Sequence, residues 1–303
     1  MPELIACTPK SLPKELWISA ASTAVQINPL NHPPLHRLAS VIPDFAPTAE
    51  RIAVVTTKYW HTNGVRLTVG FLDNPPNDLR ARIISHMNAW GTRINAVFVE
   101  SNSEPQVRIA RTEGDGYWSY LGTDILSIDA DQPTMNLASF TMDMPESEFH
   151  RVIRHETGHT LGCPHEHMRA ELVAKVDPEK AIKFFGQTQG WSPAEVRQQV
   201  LTPLEESSLL GTLHADPNSI MCYQIPGSIT TDAKPIIGGT DIDESDYAFM
   251  ASIYPKPGDS AVVASQATSS AGARSDLQGR LDRAEAERDI LKKALAIMAR
   301  DEH

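Results

Sequence analysis

Residues 155–167 read HETGHTLGCPHEH and hold four histidines and two glutamates. Positions i and i+4 of an α-helix lie on one face, about 6 Å apart along the axis. His155 and His159 therefore point the same way, and two imidazoles so placed can bind one zinc ion. The motif requires a helix, and ESEFHRVIRHETGHTLG (146–162) has the apolar spacing for one. Gly162 is a natural residue for the position after its end.

A third histidine completes the arrangement. Gly162 adopts left-handed conformations without strain from a Cβ atom, so the chain can turn there and bring His165 towards the other two. Three histidines leave one coordination position for water, which a catalytic zinc site needs and a structural one lacks. Glu156 can lean over the same ion as a general base. The sequence thus predicts one catalytic Zn²⁺ and hydrolysis by an activated water.

Composition limits the partners of this chain. The 303 residues carry a formal net charge of −11, which argues against nucleic acid as a partner because no broad basic face is available. No run of about 18 apolar residues occurs, so no membrane span is expected. The first residues lack the pattern of a secretory signal. This predicts a cytoplasmic protein or one exported by a signal-independent route.

The chain divides into four regions by composition. Residues 1–50 are studded with proline and are interpreted as an N-terminal arm or leader. Residues 51–256 hold the strand and helix patterns and form the predicted catalytic domain. Residues 257–275 are small and polar, as flexible linkers are. Residues 276–303 predict a charged helix whose interrupted apolar seam allows a coiled coil, self-association or docking on its own domain.

Within the second region, apolar periodicity favours a mixed α/β layer. Apolar and polar residues alternate over 65–73, as they do in a strand. Over 77–90 the apolar residues have the spacing of a helix. Other extended segments are expected at 97–101, 107–111, 116–122 and 134–140, and other helices at 192–201 and 243–254.

These motifs together resemble the astacin family of metzincin peptidases. H-E-x-x-H-x-x-G-x-x-H is the metzincin zinc signature, and SIMCY (219–223) supplies the methionine turn that metzincins carry downstream. His165 followed by Glu166 and Arg169 looks like the astacin continuation H-E-x-x-R. GYWSYLG and the later MNL are similar to the astacin segment that runs into the substrate-edge strand. The resemblance covers about residues 51–256.

The resemblance implies an α/β zincin fold with two subdomains about a deep cleft. The upper one would hold a twisted mixed sheet and two long helices, and the lower, irregular one a C-terminal helix. The activity implied is that of a zinc metalloendopeptidase with Glu156 as base and acid. The ligands implied are His155, His159 and His165. A peptide or protein substrate would lie extended and antiparallel to an exposed sheet edge.

The same resemblance assigns supporting roles. Met221 would lie beneath the histidines, and Gly162 would form the turn. Tyr223 would be a displaceable fifth ligand that hydrogen-bonds the oxyanion. Glu166 would approach a freshly cut amino terminus, which requires removal of about the first fifty residues.

The cysteines depart from the astacin pattern. Tyr117 stands where a cysteine is usual, and the aspartate-bearing prosegment motif F-x-G-D is absent. Cys7 is expected to be an ordinary buried or exposed thiol; the alternative is that it blocks zinc, since thiolates are good zinc ligands. Cys163 and Cys222 flank the metal motifs. A disulfide between them and two free apolar side chains fit the sequence equally well.

Two other functions remain open from the sequence. One is a catalytically silent zinc-binding module that recognises peptides, although the presence of both Glu156 and Tyr223 argues against it. The other is an interaction protein in which the predicted helix at 276–303 does the work. Deletion of residues 258–303 separates these, because unchanged cleavage would make the tail accessory.

Overall fold

The computed structural model describes residues 7, 10–33, 53, 56–165, 170–188, 190–201, 216–222 and 224–257. The described residues as far as Pro255 belong to one compact unit. The predicted linker and tail helix lie outside the described residues from position 258 onwards, and so do the predicted site residues Glu166 and Tyr223. Among the described helices, none has the length and apolar character to cross a membrane.

A five-stranded sheet lies at the centre of this unit. Its strands are β1 (Val65–Phe71), β2 (Ala96–Glu100), β3 (Val107–Ala110), β4 (Tyr117–Ser119) and β5 (Met135–Leu137). The spatial order is β2-β1-β3-β5-β4, in which β4 runs antiparallel to β5 and all other pairs are parallel. The predicted mixed α/β class is therefore confirmed, and each predicted strand is present within a few residues of its expected bounds.

The burial of each strand follows its place in the sheet. In β1, Val65, Leu67 and Val69 are buried, and this is the alternation by which the strand was predicted. All residues of β3, in the middle of the sheet, are buried, as expected of a parallel strand that is covered on both faces. β2 and β4 are the two edge strands, and the outer edge of β4 is paired by an isolated bridge from Cys7 to Tyr117.

Eight α-helical segments and two π-helical stretches lie in the described residues. The α-helices are α1 (Trp17–Ile27), α2 (Asn77–Met87), α3 (Glu146–Glu148), α4 (His155–Thr160), α5 (Ala170–Val173), α6 (Pro178–Thr188), α7 (Pro193–Val196) and α8 (Glu244–Ile253). The π-helical stretches are Phe149–Arg154 and Arg197–Leu201. The helix predicted over 146–162 is present, but its middle is π-helical. The sequence reading missed α5 and α6.

Helix α2 joins the sheet to the helical run that carries the zinc motif. Its residues Leu79, Ile83 and Met87 are buried in the larger of two clusters of apolar side chains, which we call the main core. They have the helical spacing by which the helix was predicted. Beyond its end, Trp90 is fully buried and its indole Nε1 donates to the carbonyl of Arg154, 2.9 Å away. The residue before His155 is thereby held against the core.

A second, smaller core lies among α5, α6, α7 and the segment after the methionine turn. It consists of Cys7, Leu172, Val176, Ala181, Phe185, Val196, Val200, Cys222, Ile225, Ile229 and Ile236. The expected lower subdomain corresponds to this part of the chain. The last helix, α8, buries Met250 and Ile253 in the main core instead. Its N-terminus is fixed by a capping box between Asp243 and Asp246.

The N-terminal arm is attached through buried asparagines. Asn31 Nδ2 donates to the carbonyls of Ala24 and Tyr59, and its Oδ1 accepts from the amide of Tyr59 and the hydroxyl of Thr57, all within 2.9 Å. Asn28 Nδ2 donates to the carbonyl of Trp60 at 2.7 Å. These bonds make the segment after α1 part of the packed structure.

Asn31→Ala is expected to lower the free energy of unfolding by about 2 kcal/mol, because it leaves buried backbone groups of Tyr59 without partners. Urea unfolding followed by circular dichroism measures this change. Leu30→Ala is the matched control, since Leu30 is 62% exposed on the same turn. Equal stability of the two variants would contradict the structural role of Asn31.

Candidate metal centre

Helix α4 and the turn after it bring the three predicted ligands together. His155 and His159 lie one turn apart on α4 and are buried, as is Glu156 between them. Gly162 has φ +102°, a left-handed conformation that an L residue rarely adopts, and its amide donates to the carbonyl of His159. The chain reverses at this point, and His165 comes back to the helix, 2% exposed.

The ring nitrogens of the three histidines converge. His165 Nε2 lies 3.1 Å from His155 Nε2 and 2.9 Å from His159 Nε2. Ligands held about 2.0–2.1 Å from one tetrahedral ion are about 3.3 Å apart, so the spacing is close to that of a zinc site. We call His155, His159 and His165 the histidine triad.

The hydrogen bonds of the triad fit a metal site. His155 Nδ1 donates to the carbonyl of Ile220 at 2.6 Å, and His159 Nδ1 donates to that of Cys163 at 2.7 Å. A carbonyl only accepts, so the proton of each neutral ring is on Nδ1 and the Nε2 lone pair faces the other two rings. Burial lowers the pKa of His159 to about 4, so this ring is neutral. The triad therefore suits a cation with imidazole preference, such as Zn²⁺.

Glu156 lies beside the triad in an apolar setting. Its side chain is 1% exposed, and burial raises its pKa to about 8 in the metal-free protein, against smaller lowering effects of Cys7 and Arg151. A cation held by the triad would lower this pKa and favour the carboxylate, the form that can accept a proton.

Cys7 occupies the open side of the site. Its Sγ and one ring nitrogen from each histidine of the triad all lie within 4.8 Å of one another. The thiol also donates to Glu156 Oε2 at 3.4 Å. Cys7 is 6% exposed and makes an isolated parallel bridge to Tyr117 of β4. Of the two positions considered from the sequence, the structure therefore has Cys7 at the metal ligands.

Lys10 also lies close to the edge strand β4. The Lys10 ammonium lies 4.6 Å from the centre of the Trp118 ring and 3.8 Å from Asp115 Oδ1. Trp118 belongs to β4, and its indole donates to Asp115. Cys7 and Lys10 thus lie at a sheet edge, the kind of place where a substrate was expected.

The methionine turn packs against helix α4, which carries two histidines of the triad. Met221 is 4% exposed, and its sulfur lies in the space that a Cβ atom on Gly158 would need, between the two helical histidines. The next link is Asp246 of α8, whose carboxylate accepts from Ser219 Oγ at 2.6 Å and from the Ile220 amide at 2.9 Å.

Asp246 is the supporting residue that sequence reasoning missed. The Ile220 carbonyl accepts from His155, so Asp246 orients that ligand through the turn. Burial raises the pKa of Asp246 to about 6. The pattern DESD at 243–246 signals a helix start, but nothing in it indicates a bond to the methionine turn.

None of the three cysteines forms a disulfide, so of the two alternatives for Cys163 and Cys222 the structure has two separate apolar side chains. Cys163 packs in the main core, where its thiol lies 3.0 Å from the Met250 sulfur. Cys222 packs in the second core. The two side chains serve different cores as small apolar groups.

Comparison with known proteins agrees with this geometry. The family model for the astacin peptidases matches residues 54–224. The zinc metalloproteinase nas-27 of Caenorhabditis elegans is 30% identical over 98 residues, which are 32% of this chain; the chain spans only 21% of that protein's length.

Two solved structures of myroilysin are also similar. Each is 29% identical and covers 66% of this chain. One matches over 97% of its own length with a TM-score of 0.62, and the other over 86% with a TM-score of 0.52. With the family match over more than half of its residues, the chain belongs to the astacin family of peptidases.

Proposed function

We propose that this protein is a zinc-dependent endopeptidase in which the histidine triad holds the ion and Glu156 is the general base. The observation that carries the proposal is the convergence of three Nε2 atoms, with spacings of 2.9 and 3.1 Å, beside a buried carboxyl group. A silent zinc-binding module would have no use for that carboxyl group, whose burial is unfavourable when it is charged.

The chain's own residues supply the proton transfers. When bound, zinc supplies Lewis acidity, which polarises the substrate carbonyl and acidifies water in the site. Glu156 takes the proton of the attacking water and delivers it to the leaving amine. Tyr223 follows the described methionine turn directly and is proposed to hydrogen-bond the oxyanion. Glu166 follows the third ligand and is proposed to meet a freshly cut amino terminus.

The substrate is proposed to be an extended segment of a peptide or protein. It would add to the outer edge of β4, antiparallel to that strand, and take its main-chain hydrogen bonds. β4 ends close to the active-site helix, since Ser119 Oγ lies 3.0 Å from Thr160 Oγ1. A chain along this edge therefore passes the triad.

We further propose that the described conformation is latent, with Cys7 as a fourth zinc ligand. Its thiolate would take the coordination position that water needs, and in this place it also contacts the base. The bridge from Cys7 to Tyr117 is parallel, opposite to the direction proposed for a substrate. A reversed chain presents its peptide bonds in the wrong direction for attack, so the arm blocks the site without being cut.

Release of the triad does not require removal of the whole arm, whereas the contact proposed for Glu166 requires a cut near residue 50. A cut between Cys7 and Lys10 would release the thiol and leave the buried bonds of Asn28 and Asn31 intact. Removal of all residues 1–50 would break those bonds as well. We therefore expect the shorter truncation to give the more stable active enzyme.

Metal removal tests the peptidase proposal. The full-length Cys7→Ala variant is expected to bind zinc in the triad, to lose cleavage of a peptide library on chelation, and to recover it with one equivalent of Zn²⁺. Elemental analysis and mass spectrometry of the products give the two readouts. Zinc bound by the triad with no cleavage at any sequence would instead establish the binding module.

A further inference from the structure

A second group of metal-ligand side chains lies outside the triad. It consists of His86 at the end of α2, Glu146 at the start of α3, and His150 in the π-helical stretch; we call it the His–Glu–His cluster. Glu146 Oε1 lies 3.2 Å from His86 Nε2 and 3.3 Å from His150 Nε2. The three atoms lie within 4.8 Å of one another.

These spacings fit a transition-metal ion. Ligand atoms about 2.0–2.1 Å from a tetrahedral ion are about 3.3 Å apart, which matches both distances to Glu146. The histidine triad has slightly shorter separations of 2.9 and 3.1 Å. Two imidazoles and one carboxylate are also the donor set of many zinc sites. The cluster therefore matches the chemistry and the spacing of a metal site.

The ring of His150 is oriented as a ligand. Its Nδ1 lies 2.9 Å from Asp241 Oδ2 and donates to that carboxylate, which leaves the lone pair on Nε2. A carboxylate behind a ligating histidine fixes the tautomer and raises the basicity of the ligand. Asp241 thus has the place of an outer-sphere residue of a metal site.

His86 is a buried ring that directs its Nε2 atom at Glu146. The side chain is 7% exposed, and its Nδ1 has no hydrogen-bond partner among the described residues. Its ring packs 5.2 Å from the ring of Phe149 and 5.3 Å from that of His150. A neutral buried imidazole that faces a carboxylate and a second imidazole is suited to bind an ion.

Two arginines limit the strength of the site. Arg82 donates to Glu146 Oε2 at 2.5 Å and leaves Oε1 for an ion. Arg154 Nη2 lies 3.2 Å from His150 Nε2, while its Nη1 donates to Asp241. An ion must displace the first of these two Arg154 contacts, so the cluster should bind more weakly than the triad.

We propose that the His–Glu–His cluster is a second metal site, for Zn²⁺ or a similar borderline divalent ion such as Ni²⁺. Hard ions such as Mg²⁺ and Ca²⁺ prefer sites made of oxygen ligands and are not expected there. The ion would join α2 to the helical run that continues into His155. It would stabilise the fold and is not required for peptide cleavage, so this inference does not depend on the proposed function.

Zinc stoichiometry in the full chain tests the site. Equilibrium dialysis against buffered Zn²⁺ is expected to give two ions for the wild type, the second at higher free zinc. It should give one for Glu146→Gln and one for His150→Ala. Glu146 is 60% exposed in its side chain, so its variant should fold whatever the effect of losing His150. His61→Ala, at an exposed histidine, should keep two ions.

Two further readouts separate this site from the triad. His159→Ala should lose the tighter ion and keep the weaker, and zinc added beyond the first equivalent should raise the melting temperature of the wild type but not that of Glu146→Gln. Asp241→Asn should weaken the second ion by about 10–100-fold. Two ions in both cluster variants, or one ion in the wild type at millimolar zinc, would overturn the proposal.

Discussion

Full-length Cys7→Ala is expected to cleave peptides about 100-fold faster than the full-length wild type at equal zinc content. In the structure the Cys7 thiol lies within 4.8 Å of the triad nitrogens and donates a hydrogen bond to Glu156, the proposed base. Bond formation to zinc would hold the arm closed. If that bond favours the closed arm by about 3 kcal/mol, only about 1% of the wild-type chains are open.

The matched control is Cys222→Ala, which removes a buried thiol from the second core and leaves Cys7 in place. It should remain as latent as the wild type. With Co²⁺ in place of zinc, a sulfur-to-cobalt charge-transfer band should be present in Cys222→Ala and absent in Cys7→Ala. Equal cleavage by Cys7→Ala and the wild type, with the band absent from both, would remove Cys7 as a fourth ligand.

A smaller effect should come from the contacts beside the thiol. Lys10→Ala removes an ammonium group that lies over the Trp118 ring of the edge strand. The same group is near Asp115, in an ion pair whose side chains are both partly exposed. Such contacts contribute about 1 kcal/mol or less. We therefore expect Cys7 at the triad and the asparagines after α1 to hold the arm more strongly than Lys10 does.

The elements that could be predicted from the sequence are those whose signal is local. The triad follows from the i, i+4 spacing of His155 and His159 and from the glycine that allows the reversal before His165. The positions of the strands follow from the alternation of apolar and polar residues. These features need only neighbouring residues, and periodicity records them well.

The features that were missed depend on contacts distant in sequence. Cys7 meets Glu156 across 149 positions, and Asp246 meets Ser219 across 27. No spacing rule links such pairs. The π-helical stretch that presents His150 also has no local signal in FHRVIR, which reads as an ordinary helix. Tertiary packing, through Trp90 and Phe149, decides its geometry.

The burial of Glu156 should make the stability of the metal-free protein depend on pH. In the metal-free protein its pKa is about 8, above the ordinary value of 4.5, so folding takes up a proton between these pH values. The free energy of unfolding should therefore fall as pH rises from about 5 to 8. Glu156→Gln removes this component of the pH dependence, which urea unfolding with a chelator present can measure.

Glu156→Gln is also expected to reduce cleavage by about 10²–10⁴-fold when introduced into the Cys7→Ala protein, with zinc still bound. Glutamine has the same shape as glutamate but cannot take the proton of water, and Glu156 is not a member of the triad. The control is Glu148→Gln, which removes a carboxylate from the same helical run. The Glu148 side chain bonds Arg151 and is 29% exposed.

The two readouts together decide the role of Glu156. Loss of cleavage with one zinc retained, and normal cleavage in Glu148→Gln, would establish Glu156 as the base. Loss of zinc together with cleavage would make the residue structural, since its buried side chain packs beside all three ligands. Undiminished cleavage would require another proton acceptor, which cannot be the Cys7 thiol because the tested protein lacks it.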